Sequence, residues 1–412
     1  MSTFKAEIKD VIWIDKAVFN NENQGYKKIM EKKYGLIVRE FNNAEKGIEA
    51  IKNAEIYSPI YIITSGSIYP EFYKFFKAAV TYIKNLPVQI IFTSSTKNFL
   101  NQHSNDEIGK QIGKFYNLGG VTDLFSQVEE FIQKTNKKLK DYKVSNLYEY
   151  KKAQDFRGLQ TFTYLNKSES LYLPSFYKDI INHGNIQFNE TSILINFMLN
   201  NFGNPKICEL LKGMILFNGI PEPILSKFFA RAYTLESSFY GIMNQNLMKK
   251  NYNVYSTYIK LLYKGIINNS YKPKTDCNLY RVTKLENFEI QILKNIIVQK
   301  KAYQEVPIIY STSFLSFSTD NLIAKNLGSR RIPSKANNTV IINLKPLQRD
   351  NEREILKTNA FLNQISAFHS ENEVLFFPFS SFELLSVDEY DEGTLIVLDY
   401  SFQELEKSMR IV

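Results

Sequence analysis

The sequence predicts a chain of two unlike parts: a doubly wound α/β domain with a parallel sheet, then an α+β region that carries its own helical lobe. Three observations predict this. Over residues 1–138, short and almost wholly apolar runs alternate with amphipathic stretches, the pattern of parallel strands covered on both faces by crossover helices. From residue 191 apolar residues recur at three and four, the period of packed helices. Beyond Pro273 the period falls to two and strands cluster, which marks α+β rather than continued βα alternation.

In the first domain, strands are expected at 11–14, 35–38, 60–63 and 88–92, each rich in β-branched and aromatic residues. Helices are expected at 44–53, 72–84 and 121–134, the last repeating Phe125, Val128, Phe131 and Ile132. Ligands of such sheets bind beyond the carboxyl ends of the strands. Here those ends carry Asp15, Thr64-Ser65-Gly66 and Thr93-Ser94-Ser95. This order of elements resembles a receiver (response-regulator-like) domain of the flavodoxin type, with Asp15 where such domains keep an acidic residue. Thr64-Ser65 stands where their phosphoacceptor aspartate would be, so acyl-phosphate chemistry is excluded. The resemblance implies a degenerate domain that binds a protein partner; a residual small-ligand site is the other reading.

Residues 139–185 are rich in Lys, Tyr and Ser without a period. They read as a connector with one charged helix around 147–154. The helical lobe, 186–275, holds Ile193, Leu194, Phe197 and Met198, then Cys208, Leu210, Leu211 and Ile215 after Asn204-Pro205. Tyr233-Thr234 is expected to open a helix over 235–248, and 254–267 continues with Tyr258, Leu261, Leu262 and Ile266. These are core stripes, not chemistry. In the β-rich core, 276–412, strands are expected at 277–283, 314–318, 339–344, 373–377, 382–387 and 394–399, with helices at 284–299 and 320–327.

Composition narrows the function. The 412 residues carry 44% hydrophobic and 23% charged residues, a folded rather than a disordered balance. The net charge of +9 is spread along the chain without a dense Lys/Arg tract, so nucleic acid is not an expected partner. Cys208 and Cys277 form no disulfide framework, and His103, His183 and His369 lack metal-ligand spacing, so no metal is expected. No apolar run approaches the roughly 20 residues that span a bilayer. The first residues are charged rather than signal-like. A soluble protein of the cytoplasm or another intracellular, reducing compartment is the expectation.

Chemistry concentrates in three groups of the β-rich core. Leu279-Tyr280-Arg281 lies on its first strand, and Ser313-Phe314-Leu315-Ser316-Phe317-Ser318-Thr319 on its second. Glu371 and Glu373 stand two apart before the apolar run 374–377. In an extended backbone residues two apart share a face, and paired carboxylates beside an apolar floor resist ionisation, a strain often kept for chemistry. Taken singly, each group also fits a plain structural role: an ion-paired arginine, strand hydroxyls, a solvated strand end.

Together, and in this order, they resemble the arginine-specific mono-ADP-ribosyltransferases, marked by an Arg, a Ser-Thr-Ser and a Glu-x-Glu. Tyr233-Thr234, Phe239-Tyr240 and Asn244 are similar to that family's YT…FY…N helix pattern. Phe368-x-x-Glu371-x-Glu373-Val374-Leu375 is similar to its aromatic-x-x-Glu-x-Glu turn. The resemblance covers about residues 186–400 and implies the ADP-ribosyltransferase fold, with NAD as a substrate and no metal. It implies transfer of ADP-ribose to an accessible arginine of a protein. Glu373 then faces the cationic ribose, and Glu371, with Phe368, receives the acceptor guanidinium. Arg281 offers a guanidinium fork to the dinucleotide. Ser316 orients Glu373, Ser318 stiffens the strand, and Phe317 replaces the usual Thr beside the nicotinamide. A second register, Ser311-Thr312-Ser313, matches the letters but lies early relative to Phe314-Leu315, so Ser316 is preferred. The loop 328–333 either closes over NAD phosphates or is a basic turn. Rival functions are an NAD glycohydrolase on the same site and an inactive partner-binding scaffold.

Overall fold

The computed structural model describes residues 8–54, 59–80, 82–83, 86–106, 108, 120–141, 162–164, 193–195, 198, 222–235, 239–249, 251, 255–267, 274, 276–303, 307–329, 337–347, 359–378, 380–390 and 393–401. The charged helix expected at 147–154, the run from Cys208 to Ile215 and the loop residues 330–333 lie outside them. The chain divides into two compact units, 1–150 with 186–232, and 151–185 with 233–412.

The first unit is built on five parallel strands, β1 (Asp10–Ile14), β2 (Ile37–Phe41), β3 (Pro59–Ser65), β4 (Leu86–Phe92) and β5 (Gly120–Thr122), in the order β2-β1-β3-β4-β5. That is one of the two common doubly wound orders, with its switch point between β1 and β3. Residues 11–14 and 60–63 are buried throughout, as strands covered on both faces must be. The helices are α1 (Asn21–Tyr34), α2 (Ala44–Lys52), α3 (Tyr69–Ala79), α4 (Thr96–Gln102) and α5 (Phe125–Asp141). At Gly47 of α2 an added Cβ would lie 2.3 Å from Ile14 Cδ1. Only a glycine lets the helix come this close to the strand.

Two expectations shift here. Gly35, read as the start of a strand, instead ends α1 at φ 63° and returns its N–H to Glu31, the usual glycine C-cap. Residues 121 and 122, the start of the expected last helix, belong instead to β5. Helices α1 and α4, which apolar period alone does not reveal, are begun by Asn20 and Ser95, whose side chains accept from the N–H of Asn23 and Asn98.

Among the described residues of the second unit, nine strands lie in the order β11-β12-β9-β7-β10-β14-β13-β8-β6. They are β6 (Phe162–Tyr164), β7 (Leu279–Glu286), β8 (Ile308–Ser311), β9 (Leu315–Ser318), β10 (Asn337–Leu344), β11 (Asn359–Phe361), β12 (Glu373–Phe376), β13 (Ser381–Tyr390) and β14 (Gly393–Tyr400). All pairs are antiparallel except β10 with β14. The short strands β6, β8 and β11 carry no signal in the sequence. At three or four residues they offer almost no period to read, and β6 falls within the segment expected to be a connector.

Among the described residues further helices are α6 (Glu222–Thr234), whose last two residues belong to this unit, α7 (Phe239–Met248), α8 (Ser256–Ile267), α9 (Asn287–Ala302) and α10 (Asn321–Ser329). Helix α9 is opened by a reciprocal cap between Glu286 and Glu289 and buries Ile290, Leu293 and Ile296. Those three join Leu279, Leu315, Phe317, Val340, Ile342, Val374 and Phe376 in the unit's core. An aromatic chain ties the helices to the strands that matter most. Phe239 of α7 meets Tyr258 of α8 at 5.0 Å, and Phe314, just before β9, meets Tyr258, Tyr233 and Phe377 at 6.3, 5.4 and 5.5 Å. Among the described residues no helix is long and apolar enough to cross a membrane.

Candidate active site

Strands β9 and β12 fix the site. Their register sets Glu373 opposite Ser318, Val374 opposite Phe317 and Leu375 opposite Ser316. Alternation then puts Ser316, Ser318 and Glu373 on one face, and Phe317 with Val374 on the other. Ser316 Oγ donates to Glu373 Oε1 at 2.6 Å, the length of a charge-assisted O–H···O bond. Ser318 donates its hydroxyl to the carbonyl of Glu371 at 2.8 Å and accepts the N–H of Asp320. Phe317 is not part of this cluster. It is 2% exposed and packs edge-on against Phe376 at 5.3 Å.

Arg281 arrives from β7. This strand meets β9 through a single bridge, Tyr280 opposite Ser318. Where the next pair of the ladder would form, the Arg281 guanidinium instead donates Nη1–H to the carbonyl of Ser316 at 2.7 Å. Ser316 thus holds the acid with its hydroxyl and the guanidinium with its carbonyl.

The two glutamates come together differently from the sequence expectation. They do not lie on one extended run. Residues His369–Glu371 form a 3-10 turn, and Asn372 follows at φ 47°, ψ 47°, a left-handed conformation that Asn tolerates better than most residues. Glu371 is therefore half-buried on the turn, while Glu373 is 7% exposed at the head of β12. Burial pushes the Glu373 carboxyl up to about 7; the Ser316 hydroxyl opposes this, Glu371 adds to it, and Arg281 and a hydrogen bond from Ser366 lower it. Desolvation dominates, as expected for a carboxyl set in an apolar floor. Phe368, half-buried, donates its N–H to Ser366 Oγ at 3.0 Å.

Sequence reading missed Ser366. It is fully buried, yet nothing in its type or spacing separates it from the other serines of the chain. Tyr233 and Thr234 are placed otherwise than expected: they close α6 instead of opening the next helix, which begins at Phe239. The Tyr233 hydroxyl accepts from Asn244 Nδ2 at 3.4 Å, and Asn244 Oδ1 accepts the N–H of Phe314 at 3.2 Å. Burial pushes the Tyr233 phenol well up, with Glu373 adding to the rise and Arg281 opposing it, so Tyr233 stands in the field of both charges.

In the first unit Asp15 lies just past β1, buried, and its carboxylate accepts from the N–H of Ala17 and from Asn23 Nδ2 at 2.9 and 3.2 Å. Thr64 and Ser65 end β3, and the Ser65 and Ser67 hydroxyls stand 3.2 Å apart.

No family model matches the chain, and no curated protein does. Several solved structures are distantly similar. The Vis toxin, an ADP-ribosyltransferase from Vibrio splendidus, is 18% identical with a TM-score of 0.32, over 43% of this chain and 73% of its own. The ADP-ribosyltransferase HopU1 of Pseudomonas syringae pv. tomato is 14% identical with a TM-score of 0.32, over 56% of this chain and 99% of its own. Plx2a, an ADP-ribosyltransferase toxin from Paenibacillus larvae, is 18% identical with a TM-score of 0.29, over 42% and 83%.

Proposed function

We propose that this chain is a mono-ADP-ribosyltransferase that moves ADP-ribose from NAD to arginine side chains of a protein, releasing nicotinamide. The observation that carries this reading is the meeting of Arg281, Ser316 and Glu373 at the β7, β9 and β12 junction, with Glu371 on the adjoining turn. NAD is the substrate. The bond from nicotinamide to ribose breaks, and its electron pair leaves with nicotinamide. The cationic ribose that remains is stabilised by a carboxylate in a poorly solvated place, where such an interaction is strongest; Glu373 supplies it. Ser316 fixes its orientation, and Arg281 offers the cation that a pyrophosphate requires. An acceptor guanidinium then attacks the ribose carbon and gives up a proton, for which Glu371 is the base.

Arginine as acceptor is supported by Glu371, a carboxylate two residues before the ribose-facing acid and more exposed than it. The catalytic part is assigned to residues 186–412, with a helical lobe over 186–275 and a β-rich core over 276–412; the segment 139–185, which also lends β6 to the core's sheet, joins it to a first domain over 1–138. We read that first domain as a degenerate receiver-like, partner-binding domain. Its 2-1-3-4-5 strand order and Asp15 support this, while Thr64 and Ser65 close β3 without a phosphoacceptor. The expected setting is an intracellular one, acting on protein.

Incubation of the purified chain with NAD and an arginine ester, followed by mass spectrometry, tests the proposal. ADP-ribosylated guanidinium with equimolar nicotinamide is expected. Free ADP-ribose alone would make the protein a glycohydrolase, and no nicotinamide release under any condition would make it a scaffold.

A further inference from the structure

Between β11 and β12 the chain makes a loop, 362–372, that carries Phe368 and Glu371 and delivers Glu373. Its base is closed by the N–H of Leu362 on the carbonyl of Glu373 at 2.9 Å. Its far end is held from β9, where Ser318 Oγ bonds the Glu371 carbonyl and the Thr319 N–H bonds the Asn372 carbonyl at 3.3 Å. Its middle is held from elsewhere. The N–H of Ala367 donates to Thr234 Oγ1, at the last residue of α6, over 2.8 Å. Ala367 lies between Ser366, whose hydroxyl takes the Phe368 N–H, and Phe368 itself. The Thr234 hydroxyl therefore grips the loop one residue from the aromatic side chain and four from Glu371.

We propose that Thr234 is a positioning residue for the acceptor step. By fixing the backbone at Ala367, its hydroxyl holds Phe368 and Glu371 in one place relative to Glu373. The groups that cleave NAD are held chiefly from β9, by the Ser316 hydroxyl on Glu373 and the Ser316 carbonyl on Arg281, with Ser366 of the loop as a further, weaker partner of Glu373. Loss of the Thr234 hydroxyl thus separates two activities, leaving nicotinamide release in place and weakening transfer. Displacing one catalytic group by about an ångström is costly in oriented reactions. This inference rests on the transferase reading above and goes beyond it by naming what sets the partition between arginine and water.

The test uses the full chain as wild type, Thr234→Val, Thr234→Ala and Thr234→Ser. Nicotinamide release without acceptor, ADP-ribosylation of an arginine ester, and amide exchange of a peptide covering 362–372 are measured on each. With the hydroxyl removed, by whichever of Val or Ala folds, transfer should fall roughly tenfold, equal to about 1.4 kcal/mol. Nicotinamide release should stay within about twofold (a change too small to reflect a lost catalytic group), and the loop peptide should exchange faster. Thr234→Ser should restore transfer and protection. Wild-type transfer in the hydroxyl-free variants, or an equal loss of both activities in a folded variant, overturns the inference alone. A wild type that releases no nicotinamide overturns the transferase reading and this inference with it.

Discussion

Ser316 donates its hydroxyl to the Glu373 carboxylate at 2.6 Å across the β9–β12 pair. The bond both orients the acid and favours its charged form against the pull of burial. Ser316→Ala should therefore raise the pH at which activity appears. A charge-assisted bond of this kind contributes about 1.5–3 kcal/mol, so nicotinamide release at neutral pH should drop by at least roughly tenfold. A pH–rate profile of the variant beside wild type checks both effects.

Glu373 itself gives a stability signature. Its carboxyl is raised from 4.5 to about 7 in the fold, so the folded state holds its proton more tightly than the unfolded chain does. The stability it contributes is present in full below the unfolded value and is lost as pH rises through about 7. Glu373→Gln removes this dependence. The variant should be more stable than wild type at pH 8, by a margin on the order of 3 kcal/mol, and should lose that advantage near pH 4. Urea unfolding at the two pH values measures it, and nicotinamide release should be abolished throughout.

Glu371 stands on the turn rather than on β12, so its replacement should leave the Ser316–Glu373 bond in place while removing one of the charges that raise the Glu373 carboxyl. Glu371→Gln should lose arginine transfer by roughly a hundredfold or more, the scale of general-base catalysis, and keep part of its NAD hydrolysis. Parallel assays of nicotinamide and modified arginine decide the point; transfer at the wild-type rate would remove Glu371 from its assigned role.

Phe317 offers a test of register. Its ring fills the core beside Phe376, on the face away from Glu373. Phe317→Thr restores the letters of a Ser-Thr-Ser yet should bring no gain in rate. It should cost roughly 3 kcal/mol or more of stability, as truncations of buried phenylalanines do. Thermal unfolding, with activity measured well below the transition, separates the two effects.

Arg281→Lys keeps a charge but loses the planar fork that reaches the Ser316 carbonyl. The KM for NAD should rise roughly tenfold, corresponding to about 1.4 kcal/mol of lost binding, with a smaller effect on the maximal rate. Initial-rate kinetics over a range of NAD concentrations give the split.

Much of this was legible in the sequence, for identifiable reasons. The long central strands were visible because both faces of β1 and β3 are apolar, and because β10 and β14 alternate. The three candidate site groups were visible because each is a short cluster on or beside a strand. What stayed hidden depends on tertiary contact. Strand β6 is three residues long and exists through its partner β8. Ser366 is one serine among many until the loop folds it against the acid. The turn at Asn372 replaces the extended geometry that spacing alone suggests, because a left-handed residue leaves no mark on the apolar pattern. Phe317 shows the reverse case: alternation already required it to face away from Ser316, so the apparent substitution in a hydroxyl triplet is a core residue in its proper place.

The lone bridge between Tyr280 and Ser318 places a seam of the sheet at the site itself. Where backbone pairing stops, side chains take over: the guanidinium crosses to the Ser316 carbonyl, and Leu279, Leu315, Phe317 and Phe376 share one core. The cation thus comes from one side of that seam and both acids from the other, so a substitution at Arg281 removes a stitch between them as well as a charge.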